Sequence, residues 1–296
     1  ISMETIPAKI LVTKNKNTAW FGTEYSMNIY RGCCHGCIYC DSRSECYQNT
    51  DFDTVKKKQD ALRLIARDLK SKKKKGVVGT GAMSDPYNPF ERKERLTREA
   101  LKLIDHYGFG VAIATKGSLV TRDIDLLSRI QSHSPVICKV TITAADDALS
   151  GIVEPGAPPS SKRFEAVKAL SDAGIYTGIL LMPILPFIED NTDNIQSIVE
   201  QGAKCGAHFI YPGFGVTLRD VQRDYYFSQL DQHFPGLRQK YMRRYGNDYS
   251  CGASRAHELY TFLENVCGQA GLNFRMKDII KDYKGRYQCE QLSFLR

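Results

Sequence analysis

Six short apolar runs, each followed by a helical pattern, constrain the fold of this 296-residue chain more than any other feature. The strand candidates are 25–30, 77–80, 111–115, 136–143, 176–182 and 209–211. Helical periodicity fills the gaps near 54–71, 97–107, 122–131, 160–173 and 192–205. Thr97 and Ser160 or Ser161 stand where helix caps belong, Thr192 opens the next helix ahead of Asp193, and Gly174 stands where a helix stops. Strand then helix, repeated, calls for a parallel sheet with helices outside it. Right-handed crossovers curl such a sheet into a barrel or part of one, with chemistry gathered at the C-terminal ends of the strands. The expected fold class is α/β: a partial (βα)6, TIM-like barrel with a helical C-terminal extension. The expected divisions are an N-terminal extension over 1–24, the barrel core over 25–214, and a C-terminal extension over 215–296 that packs on the barrel.

Within that frame, the loop after the first strand carries an unusual run: Arg31-Gly32-Cys33-Cys34-His35-Gly36-Cys37-Ile38-Tyr39-Cys40. Cys33, Cys37 and Cys40 form a C-x3-C-x2-C set. Three thiolates on one short loop can hold three irons of a [4Fe–4S] cube and leave the fourth iron open to a ligand. An open iron is a reaction site, whereas a fully ligated cluster is usually an electron relay. Gly32 and Gly36 let the backbone turn tightly around a bulky group. Zinc is the rival chemistry. It usually takes paired C-x2-C units or added histidines, and no second C-x2-C follows here.

Ten cysteines in 296 residues are too sparse for a disulfide scaffold. An oxygen-sensitive cluster suits a reducing cytoplasm. No secretory leader is expected at the start of the sequence. The longest apolar run, 179–188, contains two prolines and is too short to span a bilayer.

The net charge is +8, and the first 75 residues hold 15 Lys and Arg against 8 Asp and Glu. Lys56–Lys58 and the run 72–75 carry much of the excess. A basic patch suits a nucleic acid, another anionic substrate, or an acidic redox protein. A solvated helix face explains the same lysines equally simply.

The ends of the later strands carry further polar groups. After the second strand comes Gly79-Thr80-Gly81-Ala82-Met83-Ser84-Asp85-Pro86-Tyr87-Asn88-Pro89-Phe90-Glu91. Ser84 and Asp85 offer acceptors for an ammonium group, although an Asp-Pro turn alone would look the same. Lys116 ends the third strand and can pair with a carboxylate, or lie in solvent. Thr141 and Thr143 share one face of the fourth strand, where a hydroxyl can meet a ribose. Arg163, one turn into a helix, can bind a carboxylate or pair with Glu154.

Together these segments resemble the radical S-adenosylmethionine (radical SAM) enzymes, and within them the spore photoproduct lyase-like proteins, also called DNA repair photolyases. The resemblance rests on Cys33-x3-Cys37-x2-Cys40, Ser84-Asp85-Pro86-Tyr87-x3-Glu91, Thr115-Lys116, Thr141-Ile142-Thr143, Glu154-Pro155, Arg163 and Pro183-x2-Pro186. It covers roughly 26–212 well and the C-terminus weakly. It implies a [4Fe–4S] cluster whose open iron is chelated by the methionine part of SAM. It also implies one-electron cleavage of SAM and hydrogen abstraction by the 5′-deoxyadenosyl radical. Carried over by position, Tyr39 lies near the adenine, and Ser84, Asp85, Lys116 and Thr141 contact SAM; Arg163, as a carboxylate binder, is a further cofactor-binding candidate. A flavodoxin- or ferredoxin-like electron donor is implied as well.

One position departs from the family. The lyase's hydrogen-donor cysteine sits two residues before the serine that matches Ser84, and here that place is Ala82. Tyr87 could donate the hydrogen instead, and so could a cysteine from elsewhere, such as Cys34 or Cys251. The leading expectation is therefore a radical SAM enzyme, lyase-like in sequence, acting on a nucleic acid or another anionic substrate. The alternatives are a radical SAM enzyme that modifies a peptide or small molecule, and a non-catalytic iron–sulfur protein.

Overall fold

A computed structural model describes residues 3–48 and 51–293, the side chains of 288–293 excepted. The strands are β1 (Thr5–Ile6), β2 (Val12–Lys14), β3 (Tyr25–Met27), β4 (Tyr30–Arg31), β5 (Lys56–Lys58), β6 (Val77–Thr80), β7 (Gly110–Thr115), β8 (Val136–Thr141), β9 (Thr177–Ile184), β10 (Phe209–Thr217) and β11 (Ser250–Gly252). Eight of them form one sheet in the order β11-β10-β9-β8-β7-β6-β3-β2. The six strands from β3 to β10 in that sheet run parallel. β2 and β11 flank them antiparallel, and these two edges do not pair with each other. The result is the open, partial barrel expected from the strand–helix rhythm.

Alternation along β8 shows how the barrel divides its contents. Cys138, Val140 and Ile142 face outward into a core shared with Ile65 and Leu69, Leu101 and Ile104, Leu127 and Ile130, Val167 and Leu170, and Ile198 and Val199 of the surrounding helices. Ile137 faces inward with Val77, Ala112, Leu180 and Phe209. The lower lumen is plugged by Phe21 from the N-terminal segment, and by Ile279 and Tyr283 of the helix Met276–Ser293. The Tyr283 hydroxyl donates to the Phe21 carbonyl at 2.5 Å, and Lys284 Nζ reaches Glu24 Oε1 at 2.7 Å.

The helices Asp220–His233 and Leu237–Tyr245 pack Tyr226, Tyr241 and Tyr245 against Ile38, Tyr39 and Leu185. Gln222 Nε2 donates to the Tyr39 carbonyl at 3.1 Å, and Arg219 pairs with Asp41 at 2.8 Å. The cysteine loop is thus held from behind by residues far away in sequence. No helix among the described residues is long and apolar enough to cross a membrane.

Several local expectations are corrected. The helix expected over 54–71 begins only at Ala61, and Lys56–Lys58 form β5. β5 pairs on both sides, with β1 and β4, and backbone pairing outweighs lysine's weak strand preference. Thr97 is no cap: the helix Leu96–His106 starts before it, and its hydroxyl donates to the Pro86 carbonyl at 2.7 Å. Neither Ser160 nor Ser161 caps its helix, which Pro159 precedes; the Ser160 hydroxyl reaches the Ala144 carbonyl at 2.6 Å. Thr192 does open its helix, Thr192–Lys204, which Asn191 caps. Gly174 does end its helix, at φ +75°. β10 runs six residues beyond the expected end, through Pro212-Gly213-Phe214-Gly215, whose composition hides a strand.

Candidate active site

The cysteine loop begins with a backbone constraint. Gly32 has φ +77°, and a Cβ there would lie 2.2 Å from the Thr54 carbonyl oxygen. Further backbone bonds fasten the loop: Cys33 N–H to the Phe52 carbonyl (2.8 Å), Ile38 N–H to Val153 (3.0 Å) and Gly156 N–H to His35 (2.8 Å). Cys33, Cys37 and Cys40 all line one cavity of about 320 Å³. Its remaining walls come from the turn Gly81-Ala82-Met83-Ser84-Asp85 after β6, from Ala114, Thr115 and Lys116 at the end of β7, and from Thr141, Leu180 and Trp20. The polar groups at the ends of consecutive parallel strands therefore converge on the cysteines.

Asp85 organises one side. Its carboxylate accepts from Tyr87 N–H (2.8 Å), Thr115 Oγ1 (2.6 Å) and Lys116 N–H (2.7 Å). His35 Nδ1 lies 3.4 Å from the same carboxylate. Burial holds the His35 imidazole below its usual pKa, against the pull of Asp85. Ser84 donates its hydroxyl to the Gly32 carbonyl and so ties the second loop to the first. Gly81, at φ +96°, makes this turn possible, since a Cβ would lie 1.9 Å from the Ala114 carbonyl oxygen.

Glu154 organises the other side. It accepts from the Tyr39 hydroxyl and from Arg163, and Lys116 Nζ lies 3.8 Å away. Burial would push Glu154 up, but Arg163 and Lys116 hold it below the usual range. Burial likewise pulls Lys116 down, and Cys37 and Glu154 more than restore it, so the amine stays charged. Lys116 also stands over the Tyr39 ring, at 5.6 Å from its centre.

The thiols fit a cationic group. Burial pushes Cys33 up to about 12 and holds Cys37 and Cys40 above their ordinary values. Buried thiols resist ionisation until a metal supplies positive charge. Among the described residues no three His, Cys, Asp or Glu side chains are grouped to hold a single metal ion. A cube asks for something different, one thiolate on each of three irons.

Of the residues singled out from the sequence, Cys33, Cys37, Cys40, Ser84, Asp85, Lys116 and Thr141 come together on this cavity. Tyr39 and Arg163 do not line it. Tyr39 lies behind the cysteines on Glu154. Arg163 is fully buried and donates to Glu154, the Pro158 and Thr141 carbonyls and Ser150, which is the Glu154 pairing weighed from the sequence. Its guanidinium braces the site from beneath.

The proposed stand-in hydrogen donors also lie elsewhere. Tyr87 is buried on Asp123 (3.1 Å), Cys251 packs in the aromatic cluster of the C-terminal helices, and Cys34 borders the outer core. Ala82 and Met83 do line the cavity. Sequence reasoning missed Trp20 and the central place of Glu154. Trp20 lies in a segment with no motif, and only the Glu154-Pro155 pair marked the other.

The radical SAM superfamily model matches residues 27–199, more than half of the chain. An uncharacterized protein of Mycobacterium tuberculosis is 28% identical over 252 residues, covering 83% of this chain and 74% of that protein. An uncharacterized protein of Methanocaldococcus jannaschii is 34% identical over 172 residues, covering 57% of this chain and 63% of its own. A spore photoproduct lyase complexed with dinucleoside spore photoproduct superposes with a TM-score of 0.65 at 14% identity, over 92% of this chain and 82% of that one. A radical S-adenosylmethionine methyltransferase of Kitasatospora setae superposes with a TM-score of 0.54 at 11% identity, over 81% and 51%. At such identities the two structures speak for the fold alone. The chain belongs to the radical SAM superfamily. That superfamily consists of enzymes that pair a [4Fe–4S] cluster with SAM.

Proposed function

We propose that this chain is a radical SAM enzyme that holds a [4Fe–4S] cube on Cys33, Cys37 and Cys40 and cleaves SAM reductively in the cavity beside them. The observation that carries the reading is the convergence of those cysteines with Ser84, Asp85, Lys116 and Thr141 on one cavity. Bound there, the cluster and SAM together supply hydrogen abstraction from an unactivated C–H bond.

The protein's own residues bind, orient and exclude water. Asp85 fixes the backbone after β7 through Thr115 and Lys116, so two strand ends keep one geometry. Lys116 presents a lasting positive charge to a carboxylate, and Thr141 offers a hydroxyl. Leu180, Phe52 and Trp20 give the cavity apolar walls. Ala82 and Met83 carry no readily donated hydrogen, which separates this chain from the dimer repair of the lyase. An acidic flavodoxin or ferredoxin is the electron donor, in keeping with the +8 net charge.

Nucleic acid as the substrate has less support from the lysine runs. Lys56 and Lys57 pair with Glu4 and Glu94, and the run 72–75 precedes β6, at the end of the sheet opposite the cavity.

The test is anaerobic reconstitution with iron and sulfide, then SAM and dithionite, with chromatography for 5′-deoxyadenosine. Cys37→Ala should lose both the cluster and the product, and Cys205→Ala should keep both. A fully loaded wild type that forms no 5′-deoxyadenosine would overturn the reading.

A further inference from the structure

The lumen of the barrel contains a charge that nothing balances among the described residues. Lys139 lies in the middle of β8, two residues below Thr141 and on the same inward face. Only 3% of it is exposed. Its ammonium makes no hydrogen bond or ion pair among the described residues. Its one partner is the face of Phe21, 4.4 Å from the ring centre.

Its surroundings explain why. Across the sheet its neighbours are Ala114 and Gly178. The space a Cβ of Gly178 would need is taken by the Phe209 ring, 2.4 Å away. Burial draws the amine down to about 8, opposed only by Cys138 on the outer face of the same strand. Among the described residues no carboxylate pairs with it.

A buried cation without a counter-charge lowers stability, and a methionine would fill the same space without that penalty. Phe21, Ala114, Gly178 and Phe209 around Lys139 carry no charge, and Lys139 itself does not line the cavity; the nearest place for a counter-charge is the cavity end of the same strand. That end is the cavity: Ala114, Thr141 and Leu180 line it, and so does Trp20, which meets Phe21 edge-on at 5.0 Å. Lys116 does not serve the same purpose, because its ammonium faces Glu154.

We infer that Lys139 receives an oxyanion of the substrate, a carboxylate or a phosphate, at the floor of the barrel. The inference rests on the reading of the cavity above as the place of hydrogen abstraction. The strand rise puts Lys139 about 6–7 Å below Thr141, so the anion would be held one short chain away from the reacting C–H bond.

The experiment compares thermal unfolding of the reconstituted, anaerobic wild type with Lys139→Met and Lys139→Gln. Each is measured in chloride, in acetate and in inorganic phosphate at equal ionic strength. In chloride, Lys139→Met should melt higher than the wild type. Acetate or phosphate should raise the wild-type midpoint and leave both variants where they were. The more effective ion distinguishes a carboxylate from a phosphate. Equal responses in wild type and variants would overturn the inference, since the surface lysines are common to all three. So would loss of the fold in both variants, which would make the lysine a structural element. Production of 5′-deoxyadenosine by the wild type is scored separately. Its absence would remove the parent reading without touching the ion response.

Discussion

Two lysines, Lys116 just past the end of β7 and Lys139 within β8, lie on neighbouring parts of the barrel, and the protein treats them in opposite ways. Lys116, at the rim, is matched by Glu154 and the cysteine loop, and burial fails to lower its pKa. Lys139, in the lumen, has an aromatic face and, among the described residues, no opposing charge, and burial lowers it to about 8. The rim is a closed electrostatic set: Glu154 binds Arg163, Tyr39 and Lys116 at once. Such a set fixes geometry. The lumen is an open set, and an open set is where a ligand has something to add.

The contrast can be tested by breaking each side. The largest effect should come from Glu154→Ala, which strands a fully buried Arg163 and a half-buried Lys116. Removing one partner from a buried pair costs about 3–5 kcal/mol. Denaturant unfolding of the apo protein measures it, and a loss below about 1 kcal/mol would mean the rim is not a coupled set.

The next effect is a pH dependence carried by Lys139. Below about pH 8 the folded and unfolded chains both hold the proton, and the burial penalty is present in full. Between about 8 and the ordinary 10.5 the folded lysine gives up its proton first, so the unfolded state binds more protons and stability rises with pH. The gain is on the order of 3 kcal/mol at the top of that window. It is read as the difference between wild type and Lys139→Met across the window. A constant difference would place the amine outside the lumen.

The smallest effect is expected at Lys56, whose pairs with Glu4 and Asp51 involve exposed carboxylates. Lys56→Ala should change stability by less than about 1 kcal/mol. A larger change in a thermal melt would mean that the β5 lysines hold the small sheet together.

The barrel was legible because its signal is redundant. Six apolar runs in a strand–helix order leave few topologies, and β6 was found to the residue. The site was legible for the same reason: strand ends in a parallel sheet share one rim, so Asp85, Lys116 and Thr141 had to meet. What stayed hidden depends on tertiary partners. Lys56–Lys58 read as a helix start because nothing local says that β1 and β4 lie on either side. For Arg163 the sequence left two partners open, a ligand carboxylate and Glu154, because its position in a helix is visible and its burial beneath Glu154 is not. Lys139 passed as part of a strand, since a single cation in an apolar run carries no sign of what faces it.

Trp20 is the only tryptophan in the chain, 46% exposed, and it forms part of the cavity wall. The tryptophan emission of this protein is therefore a local signal from the candidate site. Cluster insertion should quench that emission, because an iron–sulfur chromophore beside an indole accepts its excitation, and a ligand entering the cavity should shift its wavelength. The molecule carries a label-free optical gauge of occupancy, placed there by a segment outside the barrel.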